Sequence, residues 1–203
     1  MTLRKRGQHQ FGDGPGDVRA ELIRYSMQHS GAVTHFADAV CPCSCRVFFL
    51  DLDPGAGLAV LECQSCGVNS LIFDRPMTQA RAEKYAKDLQ LCQCPPPCNN
   101  GAFEVVGSVN TKVVKDGVNE EEIARWFFMG LRCVECGMVS CWGDWRADCP
   151  ITQILGHGPE SLARPFSRSQ KSAKEQTKPG ASKSRKPPGG LADPSAAPDR
   201  PRE

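Results

Sequence analysis

The sequence predicts a small α+β protein of 203 residues, with two tandem β-hairpin modules joined by a helix and followed by a disordered basic tail. Three observations carry that expectation. The stretches LECQSCGVNS at Leu61 to Ser70 and LRCVECGMVS at Leu131 to Ser140 share Leu, CxxCG and Ser at the same offsets, and Asp74 and Asp144 follow them at the same distance. Upstream of each lies a run of the form Cys-Pro-x-x-Cys, CPCSC at Cys41 to Cys45 and CPPPC at Cys94 to Cys98. Between the copies, Thr78 to Leu91 is rich in helix formers, with Ala82, Tyr85, Ala86 and Leu89 at helical spacing.

Twelve cysteines in a chain whose amino terminus lacks the apolar run of a secretion signal point to metal rather than disulfides. A divalent zinc ion takes four ligands in a tetrahedron, and two cysteines separated by two or three residues can reach one ion through a tight turn. Gly67 and Gly137 follow the second cysteine of each CxxC, where the chain often turns with positive φ. The expected metal ligands are Cys41, Cys45, Cys63 and Cys66 in the first copy and Cys94, Cys98, Cys133 and Cys136 in the second. Cys43 and Cys92 are alternatives to the upstream cysteines, giving CxC in place of CPxxC. His29 and His35 precede Cys41, but both copies already offer enough sulfurs, so they read as surface histidines. Cys141 aligns with Leu71 and reads as a small buried residue, whereas Cys149 has no counterpart.

Paired cysteine knuckles joined by a hairpin resemble the zinc-ribbon class, and the CxxCG knuckles are also similar to those of rubredoxin. The resemblance covers Cys41 to Asp74 and Cys94 to Asp144, so the fold is expected to be two zinc-ribbon-like modules in tandem. It implies two structural zinc ions per chain, with iron as the alternative, and a tendency toward nucleic-acid or protein contact.

In chain order, residues 1–16 are polar and glycine-rich and read as a flexible terminus. Residues 17–76 hold a helix from Asp17 to about Gln28, expected to cover the first module, and then that module. RVFFLDL, DPGAG and LAVLE after Cys45 read as strand, turn and strand. Asp51 and Asp53 are ordinary turn-flanking acids on this reading, with no third acid to make a magnesium site. Residues 77–91 are the linking helix. Residues 92–155 form the second module, whose spacer is 34 residues, Asn99 to Arg132, against 17 in the first, Arg46 to Glu62. Within that spacer Asn119 and Glu122 resemble a helix-start box, while Phe127 to Leu131 fits a strand equally well. Trp126, Phe127 and Phe128, and the WGDW run at Trp142 to Trp145, read as packing around a small metal module.

Residues 156–203 are the tail. From Arg164 onward ten Lys and Arg face four Asp and Glu, a charge of +6; the preceding 163 residues hold 15 against 19, or −4. A four-thiolate zinc adds about −2, so phosphate contact falls to the tail or to a local basic patch. No phosphate loop, dinucleotide fingerprint or deaminase signature is present, and a zinc saturated by sulfur leaves no open position for water. The expectation is a non-catalytic, zinc-binding cytoplasmic adaptor or regulator that contacts protein or nucleic acid through the tail and does not enter membranes. A thiolate-iron electron carrier or redox protein is the alternative.

Overall fold

Both expected hairpins form, but the modules they belong to share one sheet. The structure, a computed structural model, describes residues 3–53, 58–73, 89–116 and 119–155, with the backbone of 164–166. The elements in chain order are β1 (Arg4–Arg6), β2 (His9–Phe11), α1 (Pro15–His29), β3 (His35–Asp38), β4 (Val47–Asp53), β5 (Leu58–Cys63) and β6 (Asn69–Phe73). They continue with β7 (Gln90–Leu91), β8 (Ala102–Asp116), β9 (Asn119–Cys133), β10 (Met138–Pro150), α2 (Ile151–Leu155) and β11 (Arg164–Phe166). Among the described residues eleven strands form one sheet, in the order β1-β2-β10-β9-β8-β4-β5-β6-β11, with β3 also paired to β8 and β7 to β4. The chain is therefore mostly antiparallel β rather than a small α+β protein of two hairpin modules joined by a helix.

The reason lies in the edges. A three-stranded ribbon β4-β5-β6 alone would leave the backbone groups of β4 unpaired and Phe48 and Leu50 half wrapped, which is costly away from water. Here β4 pairs with β8, with Val47 opposite Glu104, Phe48 opposite Phe103 and Phe49 opposite Ala102. Phe48 and Phe103 are fully buried, whereas Phe49 faces outward.

That pairing places the halves around an approximate two-fold axis between Phe48 and Phe103. Phe48 faces Cys63 on its other side, and Phe103 faces Cys133. Glu62 pairs with Asn69, and Arg132 with Val139. The correspondence extends to the segment before each cysteine cluster. In the first half β3 crosses to β8, with Asp38 opposite Val106 and Ala37 opposite Gly107. In the second, β7 crosses to β4, with Leu91 opposite Asp51 and Gln90 opposite Leu52. Matching hydrogen bonds follow, Ala39 N–H to Val105 O at 2.9 Å and Cys92 N–H to Leu50 O at 2.8 Å. Each half thus lends the other a strand.

The side chains alternate as the pleat requires. Phe127, Met129, Leu131 and Cys133 of β9 join Phe48, Leu50, Leu61, Phe103 and Val105 in the larger core, which lies on the face that carries the cysteines. Phe128 turns to the opposite face, where Val106 and Val139 meet Val18 and Leu22 of α1. Gly130 lets the helix approach closely, since a Cβ there would lie 2.6 Å from Val18 Cγ1.

Other expectations change with this architecture. The helix of residues 17–28 forms as α1, starting at Pro15, with Asp17 accepting the N–H of Asp13 at 2.8 Å. It covers the second module rather than the first. The terminus expected to be flexible contains the β1–β2 hairpin, with β2 paired to β10. Asn119 to Cys133 is strand throughout. Most of the linking helix, residues 77–88, lies outside the described residues, and its end, Gln90–Leu91, is strand. Of the tail, residues 164–166 pair with β6 and the rest lies outside the described residues.

Candidate metal centres

Two groups of four cysteines each bring their sulfurs within 4.8 Å of one another: Cys41, Cys43, Cys63 and Cys66, and Cys94, Cys98, Cys133 and Cys136. In the first, Cys41 Sγ lies 3.4 Å from Cys66 Sγ and Cys43 Sγ 3.6 Å from Cys63 Sγ. In the second, Cys94 lies 3.5 Å from Cys136 and Cys98 3.7 Å from Cys133. A tetrahedron with metal–sulfur bonds of about 2.3 Å has edges of about 3.8 Å. All twelve cysteines are free thiols.

The downstream halves are built identically. β5 delivers Cys63 and β9 delivers Cys133, both buried, and the chain then turns so that Gly67 N–H bonds Cys63 O and Gly137 N–H bonds Cys133 O, each at 2.9 Å. The glycines have φ of 68° and 75°, the left-handed region expected for them. Cys66 and Cys136 end these turns at the surface.

The upstream halves differ by two residues. Cys41 N–H bonds Cys45 O at 2.9 Å, and Cys94 N–H bonds Asn100 O at 2.8 Å, so Cys45 corresponds to Asn100 and not to Cys98. The preceding residues, Ser44 and Asn99, both have positive φ, 69° and 55°. Of the expected ligands, Cys41, Cys63, Cys66, Cys94, Cys98, Cys133 and Cys136 come together, and Cys45 lies outside its quartet. Cys43, the alternative, is the fourth sulfur. A signal for it existed: Cys43 lies as far before Val47 as Cys98 before Ala102, and these residues begin corresponding strands. Cys92 is not with the second quartet; it corresponds to Ala39, and both are buried.

Electrostatics fit a bound cation. Burial pushes the Cys41 thiol up to about 12, and hydrogen bonds that its S–H donates to the sulfurs of Cys43, Cys66 and Cys63 add to the rise. Burial, with Cys136 and Cys133 beside it, drives Cys94 well above the ordinary thiol range. Burial also opposes ionisation of Cys133, but hydrogen bonds from Cys136 N–H, the Asn100 side chain and Glu135 N–H outweigh it and lower this thiol to about 7. Four sulfurs this close cannot all be thiolates unless positive charge lies among them. Four soft donors in a tetrahedron suit zinc or iron and leave no position for water.

Cys45 is held against the first quartet. Its sulfur accepts the Val47 N–H at 3.4 Å and is also bonded by Ser65 and Cys63; the Ser65 hydroxyl is the main cause of its lowered pKa. At the second site Asn100 Nδ2 donates to Cys133 Sγ at 3.5 Å while its Oδ1 accepts the Ala102 N–H at 3.3 Å.

Among the described residues no other group of three or more His, Cys, Asp or Glu converges this way. His29 lies tilted against the Tyr25 ring, and His35 Nδ1 shares a hydrogen bond with Thr34. Trp145 stacks on Phe127 with centroids 5.5 Å apart, and Trp142 lies tilted over Phe103. Burial pushes Cys141 up to about 12. Among the described residues no helix is long and apolar enough to cross a membrane.

No protein-family model, curated protein or solved structure matches this chain.

Proposed function

We propose that this is a non-catalytic zinc protein: each cysteine quartet holds one structural zinc, and the sheet so braced presents surfaces to a protein or nucleic-acid partner. What supports this reading is that both quartets consist of four sulfurs at tetrahedral spacing, with the backbone turns already closed around them. A zinc bound this way stabilises and does not activate water.

The partner side of the reading rests on charge. The segment from Arg164 carries +6 by sequence. The β1–β2 hairpin adds exposed Arg4, Lys5 and Arg6 at one edge of the sheet. Arg4 is neutralised by Asp13 at 2.7 Å, while the Arg6 guanidinium lies over the Phe11 ring. Cations spaced in this way suit transient phosphate contact that weakens with salt.

Elemental analysis of purified protein with a visible spectrum tests the metal reading, and about two zinc per chain without colour is the expected result. Red absorption with iron in place of zinc would make electron transfer the better account. Titrating full-length and tail-truncated protein against duplex and single-stranded probes at two salt concentrations tests the partner; no affinity in any arm removes nucleic acid.

A further inference from the structure

We infer that the two sites do different jobs: the second is a permanent brace, and the first is an exchange site that yields its thiophilic divalent cation to a chelating acceptor with Cys45 as the entering ligand. This rests on the metal reading above. The near two-fold correspondence of the halves supplies an internal control, because differences between the sites stand out against strands that pair in matching registers.

The position next to the buried cysteine differs first. Asn100 gives Cys133 a hydrogen bond from a neutral amide, which lowers the thiolate's charge without competing for the metal. Cys45 places a fifth sulfur there, anchored by the Val47 N–H and Ser65 and in contact with Cys63. Sulfur is the donor such a cation prefers.

The leaving side differs too. Cys43 and Cys66 are both exposed in the first quartet, whereas in the second only Cys136 is exposed and Cys98 is half-buried. Stiffness differs in the same sense. The upstream turn of the second site contains Pro95, Pro96 and Pro97, each with φ locked, while that of the first contains only Pro42. The exchange step balances simply: Cys45 loses its proton and its sulfur binds the cation as Cys43 leaves, and Cys43 takes up a proton. No electrons move, and the ion keeps four thiolates until an acceptor takes it.

The experiment challenges the zinc-loaded full-length chain with excess EDTA and follows release with time. One zinc is expected to leave ten to a hundred times faster than the other, the range over which groups behind the ligands alter metal affinity. Cys45→Asn should slow the fast phase toward the slow one, and Asn100→Cys should quicken the slow phase. Cadmium-113 resonance on the unaltered protein is the check that needs no variant: one of two signals should broaden when free cadmium is added. Equal release rates, or two phases that neither substitution moves, overturn the inference while leaving two structural zincs in place. Fewer than two bound metals from the outset overturns the reading beneath it.

Discussion

Cys66 and Cys149 show how differently two cysteines of one chain can matter. Cys66 closes the first quartet from the surface, and Cys149 is buried in the larger core without joining either quartet. Structural zinc contributes roughly 10–16 kcal/mol in small peptides, as much as the whole stability of a typical domain, about 5–15 kcal/mol. Cys66→Ser is therefore expected to lose one zinc and to lower the stability of the sheet that both halves share. Cys149→Ser should keep both zincs and cost about 1–3 kcal/mol for exchanging a core sulfur for a more polar hydroxyl; zinc content and urea midpoints separate the two. The pH dependence follows from Cys41. Its pKa rises from an ordinary 9.0 to about 12, so the metal-free fold favours the thiol. That contribution is present below pH 9 and is lost as pH climbs toward 12, so alkali weakens the metal-free protein. Loading has the opposite sign, because each bound thiolate must release its proton, and acid strips the metal. The melting temperature of the metal-free protein should therefore fall between pH 9 and 12, whereas that of the loaded protein should fall as acid strips the metal; a metal-free protein equally stable at pH 9 and pH 12 would contradict the assignment. At this scale the sequence was largely legible: the turns at Gly67 and Gly137 follow from CxxCG alone. Cys45 was misread because CPCSC and CPPPC share the form Cys-Pro-x-x-Cys, whereas the chain aligns them by their distance to the strand that follows.

The hairpin β4–β5 was legible because Phe48, Leu50 and Leu52 alternate with Phe49, Asp51 and Asp53, and a proline–glycine turn separates the strands. The residues of β9 were ambiguous, since a run of glutamates, Ala and Arg before aromatics suits either period. Tertiary context decided for strand, burying Phe127 and Phe128 on opposite faces of the sheet. The β1–β2 hairpin escaped notice because Arg4 to Gln10 contains no apolar residue to alternate. Strands β3 and β7 escaped for another reason: they belong by sequence to one half and by pairing to the other, and a local pattern carries no record of such a partner. Ala39 tests that exchange. Its N–H bonds Val105 O at 2.9 Å, just where the first half leaves the second for its own cysteines. Proline there removes the donor and leaves a buried carbonyl unmet, a cost of about 1–3 kcal/mol. Ala39→Pro is expected to speed zinc loss from both sites, although it touches neither quartet. Loss confined to the first site would show that the exchanged strand does not couple the halves.

Across the whole molecule the distance between the centres is set by the sheet. Cys63, Phe48, Phe103 and Cys133 lie side by side on β5, β4, β8 and β9. Three strand spacings of about 4.8 Å put the outer two Cα atoms about 14 Å apart. Between them stand two fully buried phenylalanines, and to either side each half holds a strand of the other, so neither half has a complete core or a closed edge by itself. The larger core runs through both without a break. The described residues also fall in one unit, Met1–Arg168. Such a molecule should unfold in one step even though it has two cysteine quartets. In urea, intrinsic fluorescence and far-ultraviolet circular dichroism are expected to report a single coincident transition. Backbone amides should show the same coupling: in Cys66→Ser, hydrogen exchange ought to quicken at Val106 to Val109, which pair with β3, and not only in β4 to β6. Amides of β8 that kept full protection while β5 exchanged freely would mean two independent modules, and the shared sheet would then be a contact rather than a common core.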